Sequence, residues 1–231
     1  MEQSLSKMSL EELWQLFPIV LREHNPQYAV WYQEEQAALR ESLKECGLYR
    51  INHIGSTAVE GLMAKPIVDI LLELSAPCQT SRQASRQAPC PTARQAPCPD
   101  QQIPNTEAVA TILETQGWTI MARDDVAHTL DLNKGYTPLG FAEKVYHLHI
   151  KPAGDWDELY FRDYLRGHAE TARAYEQLKS RLKEQFEHNR DAYTDAKSDF
   201  VRIHTQAARA KFGGRYRPGV HILKVQETAK E

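Results

Sequence analysis

The sequence predicts an α/β (α+β) fold, a mixed β-sheet with helices packed on it and a helical C-terminal half. Three observations predict it. Ile67 to Leu74 is a nearly unbroken apolar run of strand length, as expected of a strand buried on both faces. Tyr146-His147-Leu148-His149-Ile150 alternates, with both histidines on one face and the apolar residues on the other. From Asp157 onward the pattern is helical throughout.

The elements follow in chain order. Ser9-Leu10-Glu11-Glu12 is a capping box, so a short helix is expected over Leu10 to Leu16, ended by Pro18. Ile19 to Leu21 reads as extended. Asn25-Pro26 suits an N-cap and first helical position, and the spacing of Tyr28, Trp31, Ala38, Leu39, Leu43 and Cys46 carries a helix toward Gly47. Tyr49 to Ile54 is the first strand. Gly55-Ser56 makes a tight turn, Gly61 and Pro66 break the connection, and Ile67 to Leu74 is the second strand. A helix with Val109, Ile112 and Leu113 on one face closes at Gly117. Trp118 to Met121, Ala127 to Leu132 and Lys144 to Lys151 then read as three more strands. Helix, strand, strand, helix and further strands together imply a mixed sheet with helices against one face.

Between Leu74 and Asn105 the composition shifts to Gln, Ala, Pro, Arg and Ser. Residues 85–91 are echoed at 93–99. With almost no large apolar side chains, this stretch cannot offset the entropy of ordering. The expected organisation is one domain over 1–74 and 105–212, a disordered low-complexity insertion over 75–104, and a loosely held tail from 213 to 231. A partner-binding arm using Arg82, Arg86 and Arg94 is the functional alternative for the insertion.

The 231-residue chain fits one ordinary domain, and its net charge of -3 announces no general nucleic-acid-binding surface. The N-terminal residues have no basic or apolar signal region, and no apolar run approaches membrane-spanning length. Cys46, Cys78, Cys90 and Cys98 lack the paired spacing of a zinc site. A cytoplasmic protein with reduced thiols and no membrane partner is the expectation.

His-Ile-Gly-Ser-Thr-Ala-Val-x-Gly-Leu-x-Ala-Lys-Pro-Ile-x-Asp-Ile, His53 to Ile70, resembles the signature of the GrpB family. Further resemblances lie in His147-Leu148-His149, in Phe161-Arg162-Asp163-Tyr164-Leu165-Arg166, in Tyr175-x-x-Leu178-Lys179, and in Tyr193-x-x-x-Lys197-x-x-Phe200. Together they cover most of Val20 to Ala210, the insertion excepted. The family resembles the nucleotidyltransferase superfamily, whose Gly-Ser turn faces a triphosphate and whose following strand carries metal-binding carboxylates. The resemblance implies a nucleotidyltransferase-like fold and transfer of a nucleotidyl or phosphoryl group to a small acceptor, with a divalent metal. The family domain also occurs fused to dephospho-coenzyme A kinase, in keeping with nucleotide or cofactor chemistry. The superfamily pattern has a second carboxylate two residues after the first; here that place is Leu71. Glu73 shares the strand face but lies roughly 13 Å from Asp69.

The expected site follows from these motifs. Asp69, a carboxylate within an apolar run, needs a partner, and is the expected metal or substrate ligand. Gly55, Ser56 and Thr57 are expected to hold phosphate, the alternative being that the hydroxyls cap a helical turn. Lys65 can face the same anion or be merely solvated. His53 is either a substrate ligand or a core histidine. His147 and His149 suit metal ligation or acid–base work, the alternative being hydrogen bonds to Asp69. Arg162 is expected to stabilise transferred charge, whereas Arg166 fits ordinary salt bridges; Lys179 and Lys197 read as solvated. Imidazoles beside a carboxylate favour zinc, manganese or nickel over magnesium, which prefers oxygen. The rival expectation is a module that binds a nucleotide or phosphometabolite without turning it over.

Overall fold

Ser9 opens the first helix as its capping box requires. The Ser9 hydroxyl accepts from the Glu12 N–H at 3.2 Å, and the Glu12 carboxylate accepts from the Ser9 N–H at 2.8 Å. The structure, a computed structural model, describes residues 5–75 and 106–219. Helix α1 spans Leu10–Leu16 and α2 spans Gln27–Ser42. The N-cap is Pro26, one residue later than expected, and the Asn25 side chain accepts from the Gln27 N–H at 3.0 Å. Strand β1, Leu48–Ile54, leads through a one-turn helix at Ser56–Ala58 and a loop into β2, Val68–Leu74. Beyond the undescribed residues come α3, Thr106–Glu114, then β3, Thr119–Asp124, β4, Thr129–Thr137, and β5, Gly140–Pro152. Helices α4, Asp157–Gly167, α5, Ala169–Phe186, α6, Arg190–Asp195, and α7, Ser198–Phe212, follow.

The five strands form one sheet in the order β1-β2-β5-β4-β3. Only β2 and β5 run parallel, so the sheet is mixed. The register pairs Asp69 with His147 and Leu71 with His149, while β4 brings Asp131 opposite His149 and Asn133 opposite His147. Side chains at paired positions share a face. The face carrying Ile51, Ile70, Leu72, Leu148 and Ile150 is closed by α2 and α3 through Tyr28, Leu39, Leu43, Val109 and Leu113. The opposite face, with Ile54 and Leu71, packs on Leu159, Tyr160, Ala208 and Tyr216.

Helices therefore cover both faces, not the single face expected. A strand apolar on both sides, as β2 is, requires a layer on each. The hairpin of β4 and β5 also runs longer than expected. At Gly135 (φ +91°) the ladder shifts register between Lys134 and Tyr136, and a Cβ there would lie 2.3 Å from the Lys144 carbonyl oxygen. Such a bulge hides from a period-2 reading, and it turns Tyr136 onto the face of His147.

The repeat segment expected to be disordered lies, apart from Ser75, outside the described residues. The beginning of the expected loose tail is not loose. Tyr216 is buried, and its backbone carbonyl accepts from Arg50 at 3.3 Å. Among the described residues no helix is long and apolar enough to cross a membrane.

Candidate functional site

The site is built at the N-terminal end of β2, where the turn after β1 folds under the first carboxylate. Gly55 has φ +69°, and a Cβ on it would stand 2.3 Å from the Asp69 Oδ2. Only glycine allows both the backbone angle and this approach. Asp69 Oδ1 lies 3.0 Å from His147 Nδ1. The other nitrogen, Nε2, is 2.7 Å from the Tyr136 hydroxyl and 3.1 Å from an Arg190 nitrogen. A guanidinium only donates, so Nε2 carries the lone pair and Nδ1–H donates to Asp69. His149, two residues along the same face, has Nδ1 2.7 Å from Asp131 Oδ1.

One ligand atom from each of Asp69, His147 and His149 falls within 4.8 Å of the others. A carboxylate oxygen with two imidazole nitrogens fits a transition ion. Asp131 behind His149 is the outer carboxylate that ligating histidines ordinarily have. The residues present therefore fit such a metal.

Positive charge surrounds this group. Burial pushes Asp69 up, but the hydrogen bond and charge of His147, with His149 and Lys65, outweigh it and hold its carboxyl down at about 2. Burial lowers Lys65 to about 7, helped by Arg190 and Lys197. Burial likewise takes Lys197 to about 8 and Lys179 to about 7. Burial lowers His147, while for His149 the Asp131 bond and the nearby carboxylates overcome burial and raise it. The Tyr193 ring lies 4.2 Å from the Lys197 ammonium and 6.0 Å from that of Lys65. The buried Tyr193 hydroxyl has no hydrogen-bond partner among the described residues.

The expected site residues divide. Asp69, His147, His149, Gly55 and Lys65 come together, and Ser56 joins them through Lys179, whose ammonium donates to its hydroxyl at 3.2 Å. Thr57 does not join. It is buried, and its hydroxyl donates to the Ile67 carbonyl at 3.1 Å, bracing the loop. His53 pairs in register with Ile70 and so faces away from Asp69. Its Nε2 donates to Thr57 Oγ1 at 3.0 Å and its ring stacks on Tyr32, with centroids 4.8 Å apart, which makes it a core histidine.

Arg162, expected at the anion, is spent elsewhere. It donates to the His53 carbonyl at 2.9 Å and to the Tyr216 hydroxyl at 3.1 Å, and pairs with Asp163 at 2.8 Å. Arg166 gives two donors to the Ala58 carbonyl. Lys179, expected to be solvated, is buried, and donates to the Met63 carbonyl. Lys197 is half-buried. Arg190, Tyr136 and Asp131 were missed. Asp131 was legible in principle from the alternation along β4, and Lys179 and Lys197 stand in motifs that carry the family resemblance. Arg190 follows a helix cap in a charge-rich stretch and gives no local signal.

Comparison with known proteins agrees with this architecture. The sequence model of the family described as GrpB protein matches residues 18–88 and 100–207. A UPF0157 protein of Pseudomonas aeruginosa is 31% identical over 178 residues, covering 77% of this chain and 62% of that protein. The UPF0157 protein YqkA of Bacillus subtilis is 26% identical over 195 residues, 83% of this chain and 48% of that one. This chain thus spans less than two thirds of either relative. The glutamate-rich protein GrpB of Alkalihalophilus pseudofirmus is 26% identical over 186 residues, 79% of this chain and 91% of that protein. A crystal structure of conserved protein GrpB from Enterococcus faecalis superposes with a TM-score of 0.64 at 25% identity, covering 84% of this chain and 99% of that one. With the family model spanning all five strands and the site they carry, the chain belongs to the GrpB family.

Proposed function

We propose that this protein transfers a nucleotidyl or phosphoryl group from a nucleotide to a small acceptor, with a divalent transition ion at Asp69, His147 and His149. The observation that carries this reading is the charge imbalance at one strand end. Lys65, Arg190 and Lys197 stand about a single carboxylate, and burial holds both lysines well below their ordinary range. A site built this way gains from an anion that brings several negative oxygens at once.

Ser56 and the Lys179 beside it orient phosphate oxygens at the Gly55 turn. Lys65, Lys197 and Arg190 oppose the charge that gathers on the leaving phosphate as its bond to phosphorus breaks and the acceptor oxygen bonds in its place. Held by Asp69, His147 and His149, a divalent ion would supply Lewis-acid chemistry to the transfer. His149, held at Nδ1 by Asp131, keeps its Nε2 for ligation, and His147 would turn its Nε2 lone pair from Arg190 and Tyr136 to the metal.

Untagged protein should retain about one equivalent of zinc, manganese or nickel by elemental analysis, and His147→Ala, His149→Ala and Asp69→Asn should each bind it at least about tenfold more weakly. Product formation from a nucleoside triphosphate and a panel of small alcohols and phosphates should fall with the metal. Equal metal content in wild type and all three variants sinks the site. A second reading, binding without turnover, is favoured by the fully buried Leu71 at the second carboxylate place. It predicts nucleotide binding of the same affinity order with no product.

A further inference from the structure

Helix α1 and its C-cap residue Phe17 place Leu10, Leu13, Trp14 and Phe17 at the i, i+3, i+4, i+7 spacing of a helix that buries one face. Only Phe17 is buried. Leu13 and Trp14 are half-buried, and Leu10 is 50% exposed. Facing them on β3, Met121 is 57% exposed. Between these two walls lies a cavity of about 600 Å³ that also reaches Asp131, His147, His149 and Arg190. Phe17 meets Tyr136 edge-on, with centroids 4.8 Å apart, and the Tyr136 hydroxyl meets His147. The apolar space therefore borders the candidate metal site at His147 and His149 and reaches Arg190.

An ordered helix that leaves its apolar stripe half in water gains by having that stripe covered. The size falls within the range of small-molecule sites, and such sites pair apolar walls with a few polar groups. One end of this space is polar, with Arg190 among Asp131, Asp191, His147 and His149, and the other is aromatic and apolar. A polar group also stands along its wall. Asn133 donates its amide N–H to the Met121 sulfur, a weak acceptor that a base edge can replace.

We propose that this cavity holds the nucleobase of the bound nucleotide, stacked on Trp14 against Met121, with Asn133 reading its edge. The inference rests on the function proposed above and deepens it. It makes α1 the element that separates a nucleotide from a bare polyphosphate. Indole faces stack on any base, so discrimination among bases falls to Asn133 and its neighbours.

The test is calorimetric titration of the full chain, with Mn²⁺ present, by tripolyphosphate and by each of the four common nucleoside triphosphates. At least one nucleotide should bind about tenfold or more tightly than tripolyphosphate. Trp14→Ala should remove that advantage while leaving tripolyphosphate affinity within about twofold. Leu10→Asp, at a half-exposed position, gives the same comparison if Trp14→Ala does not fold. Equal binding of all five by wild type overturns the inference and leaves the anion site standing. Binding of none overturns both. An advantage that survives Trp14→Ala places the base elsewhere, and a dimer that Trp14→Ala dissolves shows that a second copy covers the stripe; either result overturns the proposal.

Discussion

His53 illustrates how one residue in a signature can be kept for the fold. Burial pushes its imidazole down from 6.5 to about 4, more strongly than the Asp69 charge draws it up. The folded protein thus refuses a proton that the unfolded chain accepts below about pH 6.5. Its contribution is fully present above that pH and declines as pH falls toward 4. The loss should reach about 3 kcal/mol. Urea unfolding of wild type and His53→Gln between pH 7 and pH 4 checks this, and wild type should lose about 3 kcal/mol relative to the variant over that range. Parallel curves show that His53 is not the group refusing the proton. At this scale, legibility depended on backbone regularity. Asp69, His147 and His149 could be placed together because both strands are regular there and the side-chain period is two. Tyr136 could not, because the bulge at Gly135 breaks that period one residue earlier. Arg162 was misplaced because a guanidinium four residues from another on a helix looks the same whether it meets a phosphate or a carbonyl.

Among the elements, the segment after α7 changes most between sequence and structure. Two glycines followed by polar residues imply a frayed end. Yet Tyr216 inserts between Tyr160 and Arg50, its ring centroid 5.2 Å from that of Tyr160. Its hydroxyl donates to Asp163 and accepts from Arg162. This clasp ties α4 to β1, and explains why Arg162 is unavailable to the anion. Tyr216→Ala should destabilise the fold by about 3 kcal/mol or more, since it opens a cavity and strips a partner from buried Arg162 and from half-buried Asp163. Tyr216→Phe keeps the packing and should cost about 1 kcal/mol. A loss below about 0.5 kcal/mol for the alanine variant in urea unfolding would restore the loose tail. One aromatic residue in a polar stretch carries no periodicity, so its docking was not legible. The capping box of α1 was, because all of its interactions are local.

For the whole molecule, the sheet and the two helical layers produce one consequence that no single residue has. The C-terminal helices bring Arg190, Lys197 and Lys179 over a strand end that already carries Lys65. Against these stands Asp69, with Asp131 engaged by His149. A divalent ion entering alone adds to the excess of positive charge, and a nucleotide entering alone leaves its phosphates without a metal. When both are present, each offsets the charge the other meets. On the proposed function, binding of the two is expected to be cooperative, and by linkage each then raises the affinity of the other by the same factor. A coupling of about 1–3 kcal/mol, roughly 5- to 150-fold, is the expected scale. Mn²⁺ titrations with and without a saturating nucleoside triphosphate measure one side of this cycle, and nucleotide titrations with and without Mn²⁺ measure the other, each set corrected for the complex the two form in solution. Lys65→Met removes one cation near Asp69, so it should tighten Mn²⁺ binding in the absence of nucleotide while weakening the nucleotide. If Lys65→Met weakens both ligands equally, or the metal binds as tightly alone as with nucleotide, the excess of positive charge is not what selects the anion.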